Sequence, residues 1–175
     1  MPNALKIPHQ LHAETLTCRA VVETPKGRRS KFDYDPETGL FELKAVLPEG
    51  MSFPMDFGFI PSTKAEDGDP TDVQVLADEP SPVGTLLEVR LIGVIEGEQT
   101  EGDKTVRNDR LVAVAAASRL YAHIKEVGDL GEDFVGNLAQ FWVNYNALKG
   151  KRFKVLGVKT PQRAAELIQQ TSLKP

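Results

Sequence analysis

Ala65-Glu66-Asp67-Gly68-Asp69-Pro70-Thr71-Asp72-Val73-Gln74-Val75-Leu76 changes character halfway along. Its first half is a Gly-Pro turn with aspartates at spacings of two and three, and its second half alternates as a β-strand does. Carboxylates set this close repel one another unless a cation or a shared proton lies between them. Hard divalent ions such as Mg²⁺ take oxygen ligands of this kind. Asp and Gly also populate turns for backbone reasons alone, so a solvated acidic turn is the competing reading. A calcium loop of the EF-hand type is excluded. Counted from Asp67, its Gly and Glu positions hold Asp72 and Asp78, Pro70 intrudes, and a strand follows in place of a helix.

Upstream, Leu16 to Glu23 reads as a strand ending in a carboxylate, Pro25-Lys26-Gly27 as a turn, and Lys31 to Asp35 as a second strand. Pro36 to Gly39 turns the chain into Leu40 to Lys44. Phe53 to Pro61 carries aromatics at alternate positions from Phe57 and prolines near both ends, which suits an edge segment or a cleft-lining loop rather than a central strand. Downstream, Val73 to Ala77, Thr85 to Glu96 and Val106 to Ala115 are strand candidates, and the polar Glu96 to Asn108 stretch reads as a hairpin-like loop.

From Ser118 the period changes. Phe134, Leu138, Phe141, Tyr145 and Leu148 share one face of an amphipathic helix that Lys149-Gly150 stops. Arg152 to Val158 returns to a strand, and Thr160-Pro161 opens a short helix through about Gln170. Residues 1–15 form an irregular N-terminal arm in which His9 and His12 are ordinary residues. This order predicts an α+β, mainly β fold: a small closed or highly twisted antiparallel β-barrel (OB-like) with flanking helices, one of them long and near the C-terminus. At 175 residues, one domain over 1–175 is expected.

Composition narrows the function. The chain is 41% hydrophobic and 26% charged, and it has no apolar run of membrane-spanning length. The start of the sequence lacks a secretory pattern, so a cytoplasmic location is expected. Cys18 is the only cysteine, which removes an internal disulfide and any Cys-rich zinc site. A net charge of −4 argues against a nucleic-acid partner, though a small polyanion can still bind where metal ions screen the charge. A Mg²⁺-dependent hydrolytic site needs carboxylates for the metal, one carboxylate to take a proton from water, and cations for phosphate. Beside the acidic turn, Asp103 and Asn108-Asp109-Arg110 sit in or after the polar loop, Glu23 ends a strand, and Lys31 and Lys44 lie on strands. Each alone reads as a solvated charge, and the collection fits the site.

With those residues assembled, the chain resembles the family I soluble inorganic pyrophosphatases. The family signature Asp-Gly-Asp-Pro-x-Asp-Val stands here as Asp67-Gly68-Asp69-Pro70-Thr71-Asp72-Val73, with Thr71 in a slot that is usually apolar. The resemblance runs from about Leu16 to Gln170 and takes in Glu23, Lys31-Phe32-Asp33, the Phe53 to Phe59 segment, Asp103, Arg110 to Val114 and Tyr145. It implies a bacterial-type barrel that assembles as a homo-oligomer, usually a hexamer, and hydrolyses inorganic diphosphate with Mg²⁺. Asp67, Asp72 and Asp103 would hold the metals, with Asn108, Glu23 and Asp33 in the same group, and Asp69 would deprotonate a water. Lys31, Lys44, Arg110, Tyr145 and Phe57 would face the substrate.

Seven positions depart from the family. Asp33 replaces Glu, Lys44 replaces Arg, Phe53 and Phe57 replace tyrosines, Arg110 replaces Lys, and Asn146 stands where a Lys follows the tyrosine. Asn108 replaces a metal-ligating Asp, and strand alternation points the neighbouring Asp109 to the opposite face. These changes keep two further readings open, a degenerate homologue that acts as a binding or assembly protein and a hydrolase of another phosphate compound.

Overall fold

The computed structural model describes residues 3–173. Nine strands and two helices follow one another as β1 (Thr17–Thr24), β2 (Ser30–Asp35), β3 (Leu40–Val46), β4 (Asp56–Phe59), β5 (Asp72–Leu76), β6 (Leu86–Glu101), β7 (Lys104–Arg107), β8 (Arg110–Ala115), α1 (Glu132–Leu148), β9 (Arg152–Lys159) and α2 (Pro161–Thr171), with short 3-10 turns at Ala4–Lys6 and Val127–Leu130. Strands β1, β4, β5, β8 and β6 pair in that order, and β6 pairs back onto β1, so they close into a ring. Every junction in the ring is antiparallel except β5–β8, which runs parallel. β2 and β3 form a separate ribbon.

Two segments differ from the sequence reading. Phe53 to Pro61 contains β4, a fully buried ring strand between β1 and β5 and not an edge or loop. Pro54 and Pro61 fall outside the ladder, so neither breaks a strand hydrogen bond. The stretch Glu96 to Asn108 is mostly ladder: β6 runs on to Glu101 and returns as β7, leaving only Gly102-Asp103 as the turn. Gly97 is there for packing. A Cβ at that position would lie 2.2 Å from the Phe153 ring of β9.

Alternation gives the ring strands two apolar faces. Val73, Val75, Leu111 and Ala113 pack with Ala164 and Ile168 of α2. Leu76, Val112 and Val114 pack with Leu138 of α1. Asp72 and Arg110 share this second face, which is how the ring delivers polar groups to the α1 side. α2 begins as expected, with Pro161 in its first turn and the Thr160 hydroxyl accepting from Arg163 N at 3.2 Å. In α1 the buried positions are Leu138, Trp142, Tyr145 and Asn146, while Leu148 is turned out. The apolar face therefore drifts by about one position from the predicted stripe, and Trp142 takes its centre. In the N-terminal arm, Met1 and Pro2 lie outside the described residues; His9 Nε2 hydrogen-bonds Ser172 Oγ at 2.9 Å.

Candidate active site

The acidic turn braces itself. Gly68 has a left-handed φ of 96°, a conformation that costs a residue with a side chain. Gly68 N donates to Ala65 O, Ala65 N donates to Asp69 O at 2.7 Å, and Asp69 N donates to Asp67 Oδ1 at 3.1 Å. The turn holds Asp67 and Asp69 at the rim of a cavity of about 500 Å3, and Asp72, the first residue of β5, lies deeper in the same cavity.

Glu23 and Asp33 complete this carboxylate wall. In β1, Val22 pairs with Gly58 and Thr24 with Phe57, so Glu23 is the extra residue of a β-bulge that turns its side chain inward. It is buried, and its Oε1 accepts from Tyr34 N at 2.8 Å. Burial pushes the Glu23 carboxyl up to about 8, against the Tyr34 hydrogen bond and with help from the Asp33 charge. Burial likewise raises Asp72 to about 6, opposed by Arg110 and reinforced by Asp67. Asp67 is raised too, by burial first and the Asp69 charge in part. At all three, the charge of neighbouring carboxylates adds to the effect of burial.

The opposing wall is cationic, aromatic and amide. The parallel register sets Arg110 beside Asp72, and its guanidinium bridges the Asp72 carboxylate and Asn108 Oδ1. The same guanidinium lies 4.2 Å from the Trp142 ring centre and 5.5 Å from that of Phe153, a desolvated stacked position that suits Arg better than Lys. Trp142 Nε1 donates to Gln74 Oε1 at 2.8 Å, and Arg110 Nε and Gln74 Nε2 are buried donors with no acceptor among the described residues. Lys31 is buried and paired with Asp33. Tyr145 and Phe57 line the cavity, and burial, then the Asp33 charge, raises the Tyr145 hydroxyl above its ordinary range.

Two candidates are not brought here. Asp103 is exposed at the tip of the β6–β7 hairpin, because the ladder that replaces the expected loop carries it about 10 Å beyond the cavity-lining Gln99. Lys44 is exposed on β3 and paired with Glu42, outside the cavity lining. It is the extra residue of a bulge opposite Lys31 and Phe32. Asp109 points away as alternation predicts, accepting from Gly97 N and from Arg107. Sequence reasoning missed Gln99, whose Oε1 accepts from Asn108 Nδ2 at 3.0 Å, so that two neutral amides face the carboxylates. The strand pairing of Gln99 with Val106 and Phe153 was the signal, hidden by the polar residues around it.

The donor set fits Mg²⁺. Among the described residues no three His, Cys, Asp or Glu side chains form a ready-made cage. Without such a cage, the carboxylates of the wall suit an ion that keeps several waters and meets the protein through one or two carboxylates.

A closed ring of strands flanked by two helices, with carboxylates and cations lining one polar cavity, defines a mainly β protein of OB-like architecture. The chain belongs to the inorganic pyrophosphatase family: the model of that family, described as inorganic pyrophosphatase, matches residues 20–174. An inorganic pyrophosphatase from Thermus thermophilus is 38% identical over 152 residues, covering 85% of each chain. One from Synechocystis is 31% identical over 165 residues, covering 94% of each. The crystal structure of the inorganic pyrophosphatase from Thermus thermophilus superposes with a TM-score of 0.88 at 34% identity, covering 97% of each chain.

Proposed function

We propose that this chain hydrolyses inorganic diphosphate to two phosphates with Mg²⁺. The observation that carries the reading is one cavity lined by Asp67, Asp69 and Asp72 together with Lys31, Arg110 and Tyr145, in a chain of this family. The oxygen of water adds to one phosphorus, the bridging P–O bond breaks, and the bridging oxygen leaves on the other phosphate. Asp67 and Asp72 would hold Mg²⁺, with Glu23, Asp33 and the Asn108 amide oxygen as further oxygen donors. When bound, the ion supplies Lewis-acid activation of water and neutralises phosphate charge.

The chain's own groups do the rest. Asp69 is exposed on the braced turn and takes the proton of the attacking water. Lys31 and Arg110 exchange their carboxylate partners for phosphate oxygens, and the Arg110 Nε proton gains an acceptor. The raised Tyr145 hydroxyl stays protonated at neutral pH and donates to phosphate. Phe57 closes the wall without offering a hydroxyl. Positioning and charge neutralisation of this kind account for most of phosphoryl-transfer catalysis. Gln99 and Asn108 contribute no charge, so we expect a high Mg²⁺ requirement.

The proposal extends to residues 1–175 acting as one domain in a cytoplasmic homo-oligomer, a hexamer by family resemblance; light scattering on the purified protein tests the assembly. No helix among the described residues is long and apolar enough to cross a membrane. Phosphate release from diphosphate across a Mg²⁺ titration, beside an Asp69→Asn control, tests the activity. Release no faster than the control at tens of millimolar Mg²⁺ would overturn it.

A further inference from the structure

Four cations line the cavity, and three of them already have carboxylate partners: Lys31 with Asp33, Arg110 with Asp72, and Lys151 with Glu101. Lys149 has none among the described residues. It is the C-cap of α1, one helical turn beyond Tyr145, so the two side chains share a face. Its ammonium is drawn back over the Tyr145 ring, 5.2 Å from the centre, although the residue as a whole is exposed and could extend into water. There it faces like charges. Partial removal from solvent lowers its pKa first, and Lys31, Lys151 and Arg110 lower it further. The Asp33 charge opposes them but is itself paired with Lys31, so an ammonium held over an aromatic face among other cations at a cavity mouth is arranged for an anion that the protein does not supply.

We propose that Lys149 is a substrate-binding residue that takes the outer phosphate of diphosphate, and after hydrolysis a product phosphate, at the mouth of the cavity. This assignment rests on the reading of the cavity as a diphosphate site. It also accounts for Asn146, which is buried in the cavity wall and donates to Trp142 O at 2.9 Å. The position after Tyr145 serves helix packing, and the cation for the outer phosphate comes from the next turn. The α1 C-terminus is an unfavourable place for a phosphate on its own, because the helix dipole is negative there, and the Lys149 charge offsets it.

The test is calorimetric binding of imidodiphosphate, an unreactive diphosphate analogue, and of inorganic phosphate, both with Mg²⁺, alongside steady-state hydrolysis. Lys149→Met should weaken the analogue about tenfold and raise KM for diphosphate by a similar factor, as expected for one charged hydrogen bond, with kcat changed by about twofold or less. Lys149→Arg keeps the charge and should stay within about threefold of the wild type. Lys151→Met, which removes a cation already paired with Glu101, should cost less than Lys149→Met. Analogue binding by Lys149→Met equal to that of the wild type, or Lys149→Arg as weak as Lys149→Met, overturns the assignment. A wild type that releases no phosphate from diphosphate, while Lys149→Met still weakens the analogue, overturns hydrolysis and supports the anion site.

Discussion

Apart from the Lys31–Asp33 pair, which β2 supplies from the separate ribbon, the carboxylates are carried by ring strands and a turn that hydrogen-bonds to itself, whereas the cationic wall is assembled from the end of α1, the start of β8 and a stack of aromatic rings. In the first, backbone geometry fixes the charges: a bulge aims Glu23, a left-handed glycine shapes the Asp67 turn, and a strand end presents Asp72. In the second, side chains hold side chains. Gln74 holds Trp142, the Trp142 and Phe153 rings contact Arg110, and Gln99 holds Asn108. Backbone-set charges tolerate little movement, which suits metal ligation. Groups held by side chains can exchange partners, which suits an anion that arrives and leaves.

Substitutions that break one wall at a time should separate these roles. The largest effect is expected from Asp69→Asn, which should lower kcat by about 10²- to 10⁴-fold, the range for losing a positioned general base, with little change in the urea unfolding midpoint. Trp142→Ala attacks the other wall: it empties a fully buried ring site and leaves Gln74 Oε1 and the Arg110 face without partners. It should cost about 3–5 kcal/mol of stability in urea unfolding. Asn108→Asp adds a carboxylate to the wall of cations and amides. Gln99 can turn its amide to donate in place of accepting, and the Mg²⁺ concentration for half-maximal activity should fall; an unchanged titration would place Asn108 away from the metal. The smallest effect is expected from Asp103→Asn at the hairpin tip, which should leave that titration where it is.

The sequence shows the carboxylate wall more clearly than the cationic one, and the reason is local. Asp67, Asp69 and Asp72 lie within six residues, so their chemistry shows in one short window. The ring strands with clean alternation, such as β5 and β8, and the Thr160-Pro161 helix start are equally local signals. The cationic wall joins residues of β6, β8, α1 and β9, and their meeting depends on pairings of which no single segment carries a trace. Gln99 stays hidden because a polar strand with two glycines looks like a loop, and Asp103 looks like a ligand because the hairpin length is invisible. β4 fails differently: it is buried on both faces, so prolines that merely bracket it read as interruptions.

One strand has a consequence for how the molecule is made. β6 pairs with β1, β8, β9 and β7 along its length, and the β1 ladder runs from Val21–Leu86 to Thr17–Arg90. During synthesis β1, β4 and β5 must therefore wait, with open edges, until β6 and then β8 emerge to close the ring. Long loops have to be closed before any of these ladders can repay the entropy, so the chain should fold slowly for its size and spend that interval as a target for edge-to-edge association.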